Sequence, residues 1–408
     1  MKILSHGLAA ILLASAGLTA APVFAAEKVD TPKPVKLSKP VQAALAEAQK
    51  LQTAGDHSGA LAKVAEAEAF PSPTVDDMYM TAAVKLNSGI TTKNNAIIEA
   101  ALTKMLATGK VSATDTPKFV RTVGSMQLER KDYNGATKSF EQLVAINPND
   151  GDALIGLGEL YYAQKVNGKA VETINKAISV NKSAGTAVPE AWYRRALGIA
   201  YDGKVAGAVQ PAALALVSAY PNPVNWRDAV LITRDNYPKI DEQTQLDMLR
   251  LQAATGSLTG ERDFVEYADT ALGRGLPGEA EYAIKQGVAK NMVTPSKPLV
   301  AELLKSAQGK TAADKASLPG LEKDAKGNPK LAMGTGDAYY GYGEFAKAAV
   351  LYKQAIGGVG IDPATANLRL GAALARSGDK AGATEALKQV KGGLREELAR
   401  YWLIFVGA

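Results

Sequence analysis

Apolar, acidic and turn-forming residues recur in a fixed order along residues 41–392, with a period of about 34 positions. In several periods a turn residue precedes an acidic residue, and an alanine follows four positions later, as in Asp132 and Ala136. The turn residue suits the end of one helix, the acidic residue caps the next, and the alanine lets two helices pack closely. This period is typical of stacked helix pairs. The pattern therefore predicts an all-α solenoid of antiparallel helix pairs.

Individual segments follow the pattern to different degrees. The alanines set the register, with 34 residues from Ala136 to Ala170 and 35 from Ala348 to Ala383. The closest agreement is found in residues 117–150, 151–184, 329–362 and 364–397. Agreement is looser in residues 41–74, 77–110 and 261–294, and spacing alone indicates repeats at 191–224, 225–258 and 295–328.

The best segments also carry a recognisable set of residues. Residues 151–184 place a glycine after a leucine, an aromatic residue and then alanine and isoleucine in order, at Leu157, Gly158, Tyr161, Ala170 and Ile174. This arrangement resembles the tetratricopeptide repeat. The resemblance implies a right-handed superhelix whose concave face is lined by the first helix of each pair, and it implies a function in protein binding.

The pattern divides the chain into six parts. We expect a signal peptide at 1–25, a disordered tether rich in proline and lysine at 26–40, an array of about seven repeats at 41–304, a degenerate repeat or hinge at 305–328, a pair of repeats at 329–392 and a capping helix at 393–408.

The first of these parts determines the expected location. Lys2 precedes an apolar run, and Val23 and Ala25 supply the small residues of a cleavage site. These features predict export to the periplasm, with cleavage after Ala25. The uncharged stretch is also long enough to span a membrane, so an uncleaved anchor is the alternative.

Composition excludes several kinds of chemistry. The chain has no cysteine and two histidines, of which only His57 lies outside the leader. Thiolate metal sites, disulfides and histidine-rich metal sites are therefore excluded, and no nucleotide-binding or hydrolase motif is present. The net charge of +6 comes from interspersed positive and negative residues, which gives no tail for nucleic acid. We expect no enzymatic activity, no cofactor, no metal and no nucleic-acid partner.

The tetratricopeptide resemblance also implies which residues face a ligand in the concave groove. Transferred to this sequence, the inward positions are Lys118, Arg121, Glu129, Glu159, Tyr162, Trp192, Arg195, Asp337 and Tyr340. Aromatic and arginine side chains in such a groove are the usual anchors of peptide recognition. The alternative for Tyr162 and Trp192 is a role in packing between repeats.

The predicted capping helix is unusually apolar, with Tyr401, Trp402 and Phe405 near its end. Capping elements are normal at the end of a solenoid, so packing on the last repeat is the first interpretation. The second is a docking helix for a partner.

Three functions follow from these features. The first is a scaffold or adaptor of the bacterial cell envelope that binds a peptide or protein in its groove. The second is a structural subunit of an envelope assembly that docks by its convex face or its C-terminal helix. The third is a protein that binds or cleaves cell-wall glycan, for which Glu159 is the candidate acid.

Overall fold

The computed structural model describes residues 35–407, which contain twenty α-helices and no β-strand. The chain forms two compact units, of which the first ends at Lys110 and the second begins at Val111. The predicted signal peptide and most of the predicted tether lie outside the described residues. No helix among residues 35–407 has the length and hydropathy needed to cross a membrane.

The first unit contains four helices, α1 (Lys39–Thr53), α2 (His57–Glu68), α3 (Val75–Thr91) and α4 (Asn95–Ala107). The second unit contains sixteen, namely α5 (Thr116–Glu129), α6 (Tyr133–Ile146), α7 (Gly151–Ala163), α8 (Asn167–Ser183), α9 (Glu190–Asp202), α10 (Val209–Ala219), α11 (Pro223–Asp235), α12 (Glu242–Ala254), α13 (Gly260–Gly273), α14 (Pro277–Ala289), α15 (Pro298–Asp324), α16 (Pro329–Gly341), α17 (Phe345–Ala355), α18 (Pro363–Ser377), α19 (Lys380–Lys388) and α20 (Gly393–Val406).

Most of these helices form the predicted pairs. Contacts are dense between α1 and α2, α3 and α4, α5 and α6, α7 and α8, α13 and α14, α16 and α17, and α18 and α19. These pairs occupy the segments in which the residues follow the repeat pattern closely or more loosely, and not the segments that spacing alone indicated. The all-α solenoid of helix pairs predicted from the sequence is therefore confirmed.

The turn chemistry of the pattern acts largely as predicted. Asp56, Asp132 and Asp379 each accept a hydrogen bond from the backbone N–H three positions later, at 2.8–2.9 Å. These bonds satisfy N–H groups that have no partner inside the helix. Glu344 was expected to cap α17 in the same way, but its longer side chain makes no cap bond and pairs with Lys347 at 2.7 Å.

Close helix packing explains the glycine of the repeat. A β-carbon added to Gly158 would lie 2.6 Å from Cγ1 of Ile174, and one added to Gly371 would collide with Leu387. Ala170 and Ala383 are fully buried on the facing helices. Only a residue without a side chain allows this approach, as the sequence predicted.

The end of the predicted tether is ordered, which corrects its boundary. The backbone N–H of Ser38 donates to Asp77 Oδ1 at 2.8 Å, and that of Lys36 donates to Asp76 Oδ2 at 2.9 Å. Helix α1 already begins at Lys39. Carboxylates at the start of α3 hold this segment because they accept backbone N–H groups that α1 leaves outside its first turn.

The segment 305–328 is neither a pair of helices nor a separate loop. Most of it belongs to α15, a single helix of 27 residues that contains Pro319 and packs against α13, α14 and α16. Val300, Leu303, Ala307 and Leu318 are its buried residues. The repeat interpretation of 295–328 was therefore wrong, because the polar turn that would divide the segment is absent and the apolar residues stay on one helix.

The second unit departs from a simple stack at α12. Helices α11 and α12 contact each other only slightly, and α12 also packs against α13, α18 and α20. Helix α20 in turn contacts α10, α11, α18 and α19. The last helix thus joins elements that are separated by more than 150 residues of sequence, as the hydrogen bond between Tyr401 and Thr233 shows (|i−j| = 168).

Candidate functional site

Three of the predicted groove residues meet between α7 and α9. Arg195 donates to both carboxylate oxygens of Glu159, at 2.6 and 2.5 Å, and its guanidinium lies 4.2 Å from the centre of the Tyr162 ring. Trp192 lies one turn before Arg195 and packs near Gly151 at the start of α7. We call Glu159, Tyr162, Trp192 and Arg195 the arginine–aromatic cluster. Its members are half-buried, so parts of them are available to a partner.

The other predicted residues of the first helices lie apart from this cluster. Lys118 is exposed and pairs with Asp115 in its own helix region at 2.9 Å. Arg121 pairs with Asp150, the cap of α7, at 2.5 Å. Glu129 is exposed at the end of α5. The structure therefore does not gather all the predicted positions into one site.

Asp337 is buried and cannot face a ligand in an open groove, which corrects its assignment. Its carboxylate accepts hydrogen bonds from Arg250 at 3.0 Å, Arg369 at 2.8 Å and the Tyr352 hydroxyl at 2.7 Å. Tyr340, three residues later, is only 5% exposed. The family register places these positions on the first helix of a pair, but here α12 and α18 cover Asp337 and most of Tyr340.

Asp337 belongs to a buried ionic network that joins α12, α14, α16 and α18. Arg250 donates to both oxygens of Glu279 at 2.7 Å, and Arg369 Nε donates to Asp247 Oδ1 at 2.8 Å. Burial raises the pKa of Asp247, although both arginines act in the opposite direction. Burial acts likewise on Asp337, but Arg369 and Arg250 outweigh it, so the pKa of Asp337 lies below its ordinary value. We call Asp247, Arg250, Glu279, Asp337 and Arg369 the buried ionic network.

The docking interpretation of α20 is wrong for two of its three residues. Tyr401 and Trp402 are 0% and 1% exposed, and the Tyr401 hydroxyl bonds to Thr233 Oγ1 at 2.7 Å. Only Phe405 is partly exposed, at 36%. Tyr401 and Trp402 fill space between α20 and the helices beside it, so these two residues are not available to a partner.

A cavity that the sequence reasoning missed lies beside the buried ionic network. Its volume is about 380 Å³, and its aromatic wall is formed by Tyr267, Tyr282, Tyr340, Tyr342 and Phe345. We call it the tyrosine cavity. The signal in the sequence is the run of aromatic and glycine residues at 339–345, from which the sequence analysis assigned only Tyr340 to a ligand, and to the concave groove rather than to a cavity.

Cationic side chains complete the wall of the tyrosine cavity. The guanidinium of Arg376 lies 4.5 Å from the centre of the Phe345 ring, and Lys315 Nζ lies 5.5 Å from that of Tyr342. The rings of Tyr340 and Phe345 meet edge to face, with centres 5.0 Å apart. Burial raises the pKa of Tyr340 to about 12, so its hydroxyl is protonated at neutral pH. The arrangement of rings, cations and a hydroxyl donor suits non-covalent binding.

The part of the chain that the structure describes has no comparable arrangement of metal-binding side chains. Residues 35–407 contain no group of three or more aspartate, glutamate or histidine side chains placed to hold a metal ion.

Comparison with known proteins agrees with the repeat pattern. A family model described as tetratricopeptide repeat matches residues 127–184, which comprise the end of α5 and all of α6, α7 and α8. The resemblance predicted from the sequence is confirmed for this segment. No curated protein matches the chain.

Solved structures that are similar to parts of the chain include the following three, all at low sequence identity. The crystal structure of MamA protein is 19% identical, with a TM-score of 0.28, over 50% of this chain and 98% of that chain. A tetratricopeptide repeat protein from Parabacteroides merdae is 15% identical, with a TM-score of 0.28, over 66% of this chain and 100% of that chain. PilF of Pseudomonas aeruginosa is 15% identical, with a TM-score of 0.25, over 65% of this chain and 96% of that chain.

Proposed function

Because residues 127–184 are a tetratricopeptide repeat segment, we propose that the protein is a non-enzymatic interaction scaffold of the bacterial cell envelope. On this proposal it binds a peptide or protein segment across α7 and α9. Repeats of this kind cannot bury their apolar faces singly, and the stacked array presents an extended surface on which partners bind.

The arginine–aromatic cluster is the observation that supports this site. Tyrosine, tryptophan and arginine are the residues that contribute most to protein–protein binding energy. Here they lie on neighbouring helix pairs, and the bond between Arg195 and Glu159 fixes the guanidinium against the Tyr162 ring. A fixed arginine loses less side-chain entropy when a partner binds, because its conformation is already restricted.

Substitution of the predicted anchors tests the proposal. We expect the triple variant Arg121→Ala, Tyr162→Ala and Arg195→Ala to lose capture of envelope proteins in crosslinking of intact cells. The reason is that it removes the Tyr162 ring and the Arg195 cation of the cluster, together with Arg121, the other arginine predicted to face the groove. Mass spectrometry of the crosslinked proteins measures the loss.

A matched control separates binding from net charge. The double variant Lys176→Ala with Arg274→Ala also removes two positive charges, but from exposed positions outside the cluster. We expect it to capture the same proteins as the unmodified chain. Unchanged capture by the triple variant, with its circular dichroism also unchanged, would reject the α7–α9 site.

The location in the envelope depends on the leader. We propose that residues 1–25 direct the chain to the periplasm and are then removed, as the apolar run and the small residues at Val23 and Ala25 suggest. The expected result is a mature N-terminus at Ala26 when the protein from the periplasmic fraction is sequenced. A chain that keeps Met1 and sediments with membranes would favour the uncleaved anchor instead.

A further inference from the structure

We propose that the tyrosine cavity is a second binding site, independent of the α7–α9 surface, and that it accepts an acidic peptide segment with a carboxylate beside Arg376 and Tyr340. The argument rests on the shape of the cavity, on its cations and on one buried hydroxyl group.

The shape favours an extended ligand over a compact one. A second hollow of about 420 Å³ adjoins the tyrosine cavity and shares Glu281, Thr311 and Lys315 with it. Helix α15 contributes the wall that both hollows have in common. Because α15 is a single long helix where the repeat pattern would place a pair, it leaves an elongated groove beside α14 and α16. An extended peptide follows such a groove, whereas a single small molecule fills only one part of it.

The cations favour a negatively charged ligand. Lys285, which also lines the cavity, pairs with Glu281 at 2.7 Å. By contrast, neither Arg376 nor Lys315 has a carboxylate within 4.0 Å among residues 35–407, and both lie against aromatic rings. Glu279 is also in the wall, but Arg250 neutralises its charge through two hydrogen bonds. The free positive charge in the groove is therefore available to an anion.

The Tyr340 hydroxyl identifies the position of the carboxylate. It is buried, and it has no hydrogen-bond partner in the described part of the chain. A buried hydroxyl without a partner destabilises a protein, so its presence in a native structure calls for an explanation, and an acceptor on a ligand supplies one. Tyr340 and Arg376 both contact the Phe345 ring, which places donor and cation on the same aromatic residue. A carboxylate accepts from both kinds of group.

The experiment uses the full mature chain and a random-peptide library. Selection should enrich peptides that carry aspartate or glutamate next to an apolar residue. An enriched peptide with a fluorescent label should then bind Arg376→Gln and Tyr340→Phe about tenfold more weakly, the loss expected for one charge-assisted hydrogen bond. Fluorescence anisotropy measures this change. The control Arg274→Gln, which alters an exposed arginine outside the cavity, should bind as tightly as the unmodified chain.

Stability distinguishes a binding role from a structural one. Among residues 35–407 Arg376 makes no ion pair and the Tyr340 hydroxyl has no hydrogen-bond partner, so Arg376→Gln should lose only its contact with the Phe345 ring, and Tyr340→Phe should not lower the melting temperature. The proposal is overturned if no acidic peptides are enriched, or if the two variants bind them unchanged. It is also overturned if the ligand that binds at Arg376 is an anionic polysaccharide such as alginate and not a peptide. Because the two sites are independent, the triple variant of the α7–α9 surface should select the same peptides as the unmodified chain. If no acidic peptides bind the tyrosine cavity, the proposed function of the α7–α9 surface is not affected.

Discussion

Replacing Arg369 with methionine is expected to lower the free energy of unfolding by about 3–5 kcal/mol, the loss typical of removing one partner from a buried ion pair. Arg369 is 3% exposed and donates to Asp247 at 2.8 Å and to Asp337 at 2.8 Å. Without it, two buried carboxylates lose a cation that cannot be replaced by water. Chemical denaturation followed by circular dichroism measures the loss.

Charge balance provides the control for this prediction. The buried ionic network, together with the nearby Arg395, contains three arginines and three carboxylates. The double variant Arg369→Met with Asp247→Leu keeps the charges equal, so we expect it to be more stable than the sum of the two single variants predicts. Arg194→Met removes a half-exposed arginine from its pairs with Glu190 and Asp228, and solvent screening should limit its effect to about 1 kcal/mol or less.

An effect of Arg369→Met as small as that of Arg194→Met would contradict the structure. It would mean that water reaches Asp247 and Asp337 in solution, and that α12 and α18 are not held together as the hydrogen bonds indicate. The comparison therefore tests the closure of the second unit as well as the strength of one interaction.

Residue spacing predicted the helix pairs because the information that forms them is local. The cap of α6 at Asp132 and the packing glycine at Gly158 act on residues within about twenty positions of themselves. Their chemistry can therefore be recognised in any one segment. The same argument explains why the family model matches residues 127–184, where cap, glycine and alanine are all present.

The buried ionic network could not be predicted because its partners are far apart in sequence. Arg369 and Asp247 are separated by 122 residues, and no periodic pattern relates them. One local sign was available in α12. Asp247 and Arg250 interrupt an otherwise apolar run that includes Leu246, Leu249 and Leu251, and a charged pair in such a run indicates a buried partner.

The candidate sites were predicted only in part, because the family register describes the faces of a simple stack and not contacts between distant helices. The family register placed Glu159, Tyr162 and Arg195 on neighbouring first helices, and the structure brings these three together. The register failed at Asp337, because the closure through α12 covers a face that is open in a simple stack. It also gave no indication of the tyrosine cavity, which depends on the long helix α15.

Replacing Trp402 with alanine is expected to lower the free energy of unfolding by about 3–5 kcal/mol, the usual range for truncating a buried tryptophan. Trp402 is 1% exposed and, with Asp247 and Arg369, lines a small hollow next to the buried ionic network. Loss of the indole would enlarge this hollow and admit water to the carboxylate of Asp247. Thermal and chemical denaturation measure the effect.

Phe405 supplies the matched control on the same helix. It is 36% exposed and contacts Trp402 edge to face, so Phe405→Ala should reduce stability by only about 1–2 kcal/mol. If α20 instead served as a docking helix, the order would be reversed, because partner binding would depend on the exposed Phe405 and stability would not depend on Trp402. A stable Trp402→Ala variant would therefore contradict the buried position of α20, and it would also weaken the case that Asp247 is shielded from water.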